Sequence, residues 1–274
     1  MVKRLVMVLV VMVGFERSAY GDLVYLVAGS TTTVDFTGYG GAGFQPIPTA
    51  GQLDSDDWAA TGWTNGDLDF GGTQITAGTD YTRGTTSGGV GTGGFYAVSN
   101  ITPTSGISFG IQPGGNDWAP GTLTLQIRNN SGVTLESISV GYDLFVRNDQ
   151  DRSSSFNFSY AVGALNTPGA FVGSAINNDS FVSAAGADVL GWVNQRSAST
   201  LTTFATSVAN GQSVFLRWSG ADVGGANFRD EFAIDNVSFS GVTAVPEPSS
   251  LLLLGLAGVS VGVGRRWRRK KMVV

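Results

Sequence analysis

The stretch Gly121-Thr122-Leu123-Thr124-Leu125-Gln126-Ile127-Arg128 decides the fold class of this chain. Its apolar residues alternate with polar ones at a period of two, which is the spacing required by a strand buried on one face. The stretch from Leu135 to Val146 repeats this pattern, and the turn residues Asn129-Asn130-Ser131-Gly132 lie between the two. The sequence therefore predicts two strands joined by a turn, each with one face toward a core.

Shorter stretches of the same kind predict further strands along the chain. They cover 23–27, 95–98, 107–111, 156–160, 171–172, 200–205, 213–218 and 232–239. Residues 38–48 are predicted to be loop, and the glycine-dense stretch 88–94 predicts tight turns because glycine adopts positive φ without steric cost. No amphipathic helical stretch is longer than a turn or two. The predicted fold is an all-β sandwich of roughly ten to fourteen strands.

The N-terminal residues predict export. An uncharged run from Leu5 to Phe15 follows two cations, and the small residues Ala19 and Gly21 fit a cleavage site. We therefore expect a signal peptide over residues 1–21. The alternative is an uncleaved anchor, for which eleven apolar residues are few.

The residues between the two ends of the chain, 22–244, form the predicted ectodomain, and its charge limits its partners. It holds seven arginines and no lysine against nineteen acidic residues, a net charge of −12. Nucleic acid and anionic lipid are therefore excluded as expected partners, because both require a cationic face. The chain has no cysteine, so a hydrophobic core must stabilise the fold without disulfides.

The composition also limits catalysis. Without histidine, cysteine or an ectodomain lysine, the sequence excludes a Ser-His-Asp triad, thiol chemistry and Schiff-base chemistry. Carboxylate chemistry remains, but the ectodomain has only Glu136 and Glu231 beside its aspartates, and nothing in the sequence places a facing pair. We expect a non-enzyme with no catalytic or cofactor-binding residues. A carboxylate-dependent polysaccharide hydrolase or lyase is the alternative.

Three acidic clusters are candidate calcium sites, because calcium binds six to eight oxygen ligands. They are Asp54, Asp56 and Asp57; Asp149 and Asp151; and Asp230, Glu231 and Asp235. None has the spacing of an EF-hand. The alternative is that Asp230 pairs with Arg229 or Arg152 and that Asp235 caps a turn, so no metal ligand is assigned.

Tryptophan rings could form a flat platform for sugar rings. The candidates are Trp58, Trp63, Trp118, Trp192 and Trp218. Trp58 and Trp63 lie in a polar, glycine-rich region and are predicted to be exposed, whereas Trp218 lies in an alternating strand and is predicted to be core.

The C-terminal residues have three parts. The element Val245-Pro246-Glu247-Pro248-Ser249-Ser250 is held extended by its prolines. The run 249–264 carries no charge and is predicted to be a single transmembrane helix of about 24 Å, a little short of a ~30 Å hydrocarbon core. A basic tail follows at 265–271 and is expected to stay on the cytoplasmic side.

This tripartite arrangement resembles the PEP-CTERM sorting signal of bacteria that make extracellular polysaccharide. The resemblance implies that an exosortase, a membrane-embedded transpeptidase-like enzyme, recognises Pro246, Glu247 and Pro248 and removes the apolar helix. It implies an exported protein, transiently anchored in the inner membrane and then released to the cell surface or the extracellular matrix. The sorting signal would occupy residues 245–274, and the alternative is an ordinary C-terminal anchor.

A second resemblance covers part of the ectodomain. The stretch Arg229-Asp230-Glu231-Phe232-Ala233-Ile234-Asp235-Asn236-Val237-Ser238-Phe239 is similar to the last strand of jelly-roll, concanavalin-like modules of bacterial surface proteins, and residues 142–154 resemble other domains that carry this tail. The resemblance implies a jelly-roll-like sandwich and favours the third acidic cluster as a structural calcium site, but it implies no activity. We therefore expect a secreted matrix protein with a structural or adhesive role that binds exopolysaccharide, with a calcium-stabilised carbohydrate-binding module as a further alternative.

Overall fold

The computed structural model describes residues 24–102, 106–173, 180–186 and 190–243. The predicted signal peptide, sorting motif, transmembrane helix and basic tail lie outside these residues. Contacts within the chain divide it into Met1–Thr243 and Ala244–Val274, and the description below concerns the first unit. Within the described ranges no helix is both long enough and apolar enough to cross a membrane.

The described part of the chain folds into eighteen strands. They are β1 (Tyr25–Leu26), β2 (Thr31–Val34), β3 (Tyr39–Gln45), β4 (Gly51–Asp54), β5 (Trp58–Thr61), β6 (Thr85–Thr86), β7 (Gly94–Ser99), β8 (Ile107–Gln112), β9 (Gly121–Asn129), β10 (Leu135–Arg147), β11 (Arg152–Gly163), β12 (Val172–Gly173), β13 (Ser180–Val182), β14 (Val193–Arg196), β15 (Thr202–Val208), β16 (Ser213–Gly220), β17 (Asp222–Gly225) and β18 (Glu231–Thr243). The number exceeds the predicted range because several strands of two to four residues lie in regions without clear alternation.

The strands form two main sheets. The first has the order β1-β9-β16-β11-β12, with β5 beside β9 and with β13 and β17 beside β11. The second has the order β14-β10-β18-β8-β7-β6, with β15 beside β10 and β2 beside β18. The consecutive strands β9 and β10 therefore belong to opposite sheets.

The inner faces of the two sheets pack together into one core. Tyr142 of the second sheet meets Trp218 of the first at a ring-centroid distance of 5.5 Å. Phe156 and Phe232 make a similar contact at 5.0 Å. Alternate residues of each long strand face this core, as a half-buried strand requires. The predicted all-β sandwich is confirmed.

One segment differs from its prediction. Residues 38–48 were expected to be loop, but β3 (Tyr39–Gln45) lies there and pairs in parallel with β4. Gly41 and Gly43 adopt positive φ, and the backbone comes close enough for Phe44 N–H to bond Gln74 O at 3.0 Å. Because glycine has no side chain, this strand shows no alternation of apolar and polar residues in the sequence.

Candidate functional site

The outer face of the second sheet is covered by the chain itself. Phe145 and Ala233 are fully buried there, and they pack with Tyr96 and Val98 in an apolar cluster separate from the main core. Val90 and Trp192 close over this cluster. Two connecting segments thus cover the face: residues 87–94, called the glycine loop below, and the residues around Trp192.

Glu231 holds the glycine loop in place. Its two carboxylate oxygens accept the backbone N–H groups of Gly89 and Val90, each at 2.8 Å. Arg147, its cross-strand neighbour, lies 3.3 Å from one of the same oxygens. Burial raises the pKa of Glu231, although the two N–H donors and Arg147 act in the opposite direction. The Glu231 carboxylate therefore binds the glycine loop to the end of β18.

Glycine is required where the loop crosses Arg147 and Trp192. Gly88 has a φ of 103°, and a β-carbon there would lie 3.0 Å from Arg147 Cδ and from Trp192 Nε1. Gly89 has a φ of 80°. A side chain at position 88 would be strained and would also displace Trp192.

A small cavity with room for about one water molecule lies beneath this loop. Its lining includes Val90, Tyr96, Gln112, Trp192 and Glu231. Gln112 donates to Pro113 O and Arg229 O at 3.0 and 2.9 Å, while its buried Oε1 accepts no hydrogen bond from the described residues. Since ligand cavities usually reach roughly 300 Å³ or more, this cavity is too small to enclose a sugar ring.

A carboxylate pair lies farther along the same sheet face. Asp143 and Asp235 are register partners on β10 and β18, and both are buried. Asp143 accepts Ala198 N–H and Asn236 Nδ2–H, each at 2.7 Å. Asp235 accepts Asn236 N–H at 2.7 Å and the Ser108 hydroxyl at 3.0 Å. Burial raises the pKa of Asp235 to about 7. The sequence did not single out this pair, because only the strand register brings the two residues together.

The two glutamates do not form the facing pair that a glycosidase needs. Glu136 is exposed near the start of β10, whereas Glu231 pairs with Arg147 at the end of that strand. Eleven residues of strand separate the two positions, roughly 35 Å at about 3.3 Å per residue.

The structure buries most of the proposed tryptophan platform. Trp58 and Trp63 were predicted to be exposed, and this is wrong: their exposed fractions are 2% and 5%. Trp58 stacks on Phe109 at 6.1 Å, and Trp63 contacts Phe95 at 4.4 Å. Both rings point into the core, and the polar residues next to them in sequence do not indicate this. The core prediction for Trp218 is confirmed, and Trp118 is also buried.

Trp192 differs from these four because it is partly exposed. Its Nε1–H donates to Ser87 O at 3.0 Å, which fixes the ring beside the cavity. It is therefore the tryptophan that best fits the predicted sugar contact.

The acidic clusters are dispersed by the fold. Asp230 accepts Gln150 N–H at 3.2 Å, while Glu231 and Asp235 have the separate partners given above. Arg152 pairs with Asp222. Across the described ranges, no three acidic side chains come together in a group that could hold a metal. Structural calcium stays a prediction.

Comparison with known proteins identifies the C-terminal residues. The family described as the PEP-CTERM protein-sorting motif matches residues 244–270, so the chain carries this motif at its C-terminus. The match includes Pro246, Glu247 and Pro248. No curated protein matches the chain.

Among solved structures, the chain is similar to a carbohydrate-binding module specific for non-crystalline cellulose, with 14% identity, a TM-score of 0.34, and coverage of 54% of this chain and 80% of that one. It is also similar to a Clostridium thermocellum xylanase with carbohydrate-binding and catalytic modules, in complex with xylohexaose (12% identity, TM-score 0.30, 83% of this chain, 30% of that one). An adhesin domain of Lys-gingipain from Porphyromonas gingivalis matches at 13% identity and a TM-score of 0.25, over 52% of this chain and 79% of that one. Nothing about the ligand of this chain follows from these similarities.

Proposed function

We propose that this chain, with its PEP-CTERM motif at 244–270, is an exported component of the cell surface or the extracellular matrix that an exosortase-type enzyme processes. The motif match is the observation that carries the proposal. Pro246, Glu247 and Pro248 would be the recognised element. The apolar run 249–264 would be a transient inner-membrane anchor, and the basic tail 265–271 would hold its cytoplasmic end.

For the ectodomain we propose a non-catalytic, structural or adhesive role that includes binding of exopolysaccharide. The partly exposed ring of Trp192 supports this role, because its hydrogen bond to Ser87 O holds it at the surface of the second sheet. An aromatic face is suited to the apolar face of a pyranose.

A binding assay with the full chain in nonionic detergent tests the ectodomain role. The chain would be applied to the exopolysaccharide of its host, and retention and sugar release would be measured together. We expect retention without release. Trp192→Ala should reduce retention by about tenfold, and Leu190→Ala, which changes a side chain 86% exposed two residues away, is the matched control. Sugar release would instead favour the carboxylate-dependent hydrolase or lyase.

The absence of both retention and release would contradict carbohydrate binding and would leave a structural protein whose partners are other proteins.

The proposal includes no cofactor. Repeating the assay and a thermal melt with calcium and with EDTA tests the calcium alternative, which an unchanged melting temperature would contradict.

A further inference from the structure

In this strongly acidic ectodomain, Arg217 is a cation without a carboxylate partner among the described residues. Arg83, Arg147, Arg152 and Arg229 each lie within 4 Å of an acidic side chain. Arg217, on β16, has no such neighbour among the residues that the structure describes. Burial lowers the pKa of Arg217, and no carboxylate of the described residues offsets that effect. A partly buried guanidinium group without a carboxylate neighbour among the described residues is a suitable partner for an anion from outside the chain.

The guanidinium group is already oriented. Its Cζ lies 3.4 Å from the centroid of the Phe171 ring, so the group stacks on that ring. Its Nε–H donates to Thr124 Oγ1 at 3.2 Å. No described residue accepts a hydrogen bond from its two terminal nitrogens. Those nitrogens form the planar fork that binds a carboxylate through two parallel hydrogen bonds.

Besides the Phe171 ring, hydroxyl and amide groups surround Arg217 on the sheet face. Its register partners on the two neighbouring strands are Thr124 and Ser159, and the three side chains form a row across the outer face of the first sheet. The next row contains Thr122, Ser219 and Asn157, and Thr122 Oγ1 lies 2.8 Å from Thr61 Oγ1. Neighbours within a row are about 4.8 Å apart. Thr124 is buried and accepts from Arg217, but the partly exposed hydroxyl groups of Ser159 and Ser219 can bond the hydroxyls of a polysaccharide laid across the sheet.

We propose that Arg217 anchors a carboxylate group of an acidic, uronate-containing polysaccharide on the outer face of the first sheet. Phe171 and Thr124 fix the plane of the fork, the hydroxyl groups of Ser159 and Ser219 contact the sugar ring, and the carboxylate supplies the counter-ion that the described residues do not. This site lies on the sheet opposite Trp192 and does not rest on sugar binding there. The ectodomain's net charge of −12 repels a polyanion at long range. Binding of a polyanion to the ectodomain would therefore indicate a local cationic site.

The test uses the full chain in nonionic detergent and trigalacturonate as the probe, with neutral trigalactose for comparison. We expect trigalacturonate to bind more tightly than trigalactose. Arg217→Gln should weaken trigalacturonate binding by about tenfold or more, and Arg217→Lys, which keeps the charge but loses the fork, should weaken it by less. Arg128→Gln is the matched control, because it removes the same charge from β9 of the same sheet while the basic tail is unchanged. Melting temperatures of all variants would show that they fold.

Equal trigalacturonate affinity in the wild type, Arg217→Gln and Arg128→Gln would overturn the proposal, as would equal binding of both trisaccharides by the wild type. Trp192→Ala should not change trigalacturonate affinity, and Arg217→Gln should not change retention on neutral polysaccharide. Failure of one site is thereby distinguished from failure of the other.

Discussion

Asp143 and Asp235 face each other across the antiparallel strands β10 and β18, with exposed fractions of only 8% and 3%. Burial is the main cause that raises the pKa of Asp235 from its ordinary value of 3.8 to about 7, and the charges of Asp143 and Asp35 add to it. Hydrogen bonds from Asn236 N–H and Ser108 act in the opposite direction. At neutral pH Asp235 is therefore partly protonated, which reduces the repulsion between the two carboxylates.

This pair predicts that the protein is more stable in mild acid than in mild base. Between the unfolded pKa of 3.8 and the folded pKa of about 7, the folded chain holds a proton on Asp235 that the unfolded chain has lost. The free energy of unfolding should thus fall as pH rises through this window, by up to about 1.4 kcal/mol per pH unit, and level off above it. Melting temperatures from pH 4.5 to 8.5 would measure the slope. Asp235→Asn should reduce the slope, of which Glu231 retains a share because its pKa is also raised, and the exposed control Asp151→Asn should leave it unchanged. An unchanged slope in Asp235→Asn would contradict the assignment.

The contact between Glu231 and the glycine loop predicts a local effect. Glu231→Gln replaces an acceptor oxygen by a donor opposite Gly89 or Val90 and weakens the pairing with Arg147. We expect a loss of about 1–3 kcal/mol in unfolding free energy and faster hydrogen exchange at the two loop amides. Glu136→Gln, at the exposed glutamate, should change neither by more than about 0.5 kcal/mol. Unchanged exchange at Gly89 and Val90 in Glu231→Gln would show that the contact does not hold the loop.

The close approach of β16 to Trp118 predicts that Gly220 cannot carry a side chain. A β-carbon at Gly220 would meet the Trp118 indole and would lie 2.5 Å from Ser155 O. Gly220→Ala should therefore lower the unfolding free energy by about 1–3 kcal/mol or more, as measured by chemical denaturation. Gly115→Ala is the control, because a β-carbon there meets nothing within 4 Å. Equal stability of the two variants would contradict this packing.

The sorting motif predicts a defect in maturation. If an exosortase reads the Pro-Glu-Pro element, Glu247→Ala should leave an uncleaved precursor in the inner membrane, because the apolar run would not be removed. Immunoblots of membrane and extracellular fractions would measure the distribution, with Ser250→Ala as the control. Normal maturation of Glu247→Ala would refute the role of this element.

The alternation of residues in β9, β10, β16 and β18 predicted these strands from the sequence, because a strand with one buried face repeats its pattern every two residues. The same reasoning failed for Trp58 and Trp63. Their neighbours are polar and glycine-rich, and local polarity does not show which side chain points inward. The cavity beside Trp192 could not be predicted either, because its lining comes from strands and loops far apart in the chain.

The sequence by itself determined the all-β class and the sorting motif, because each depends on a pattern of residues contiguous in the chain. Only the tertiary structure decided that Asp143 meets Asp235, that Glu231 fastens a loop 142 residues earlier, and that Arg217 has no acidic partner in the described chain. These relationships depend on the register and order of strands distant in sequence. Register is set by how both faces of a sheet pack, and a shift of one residue would turn every side chain to the other face.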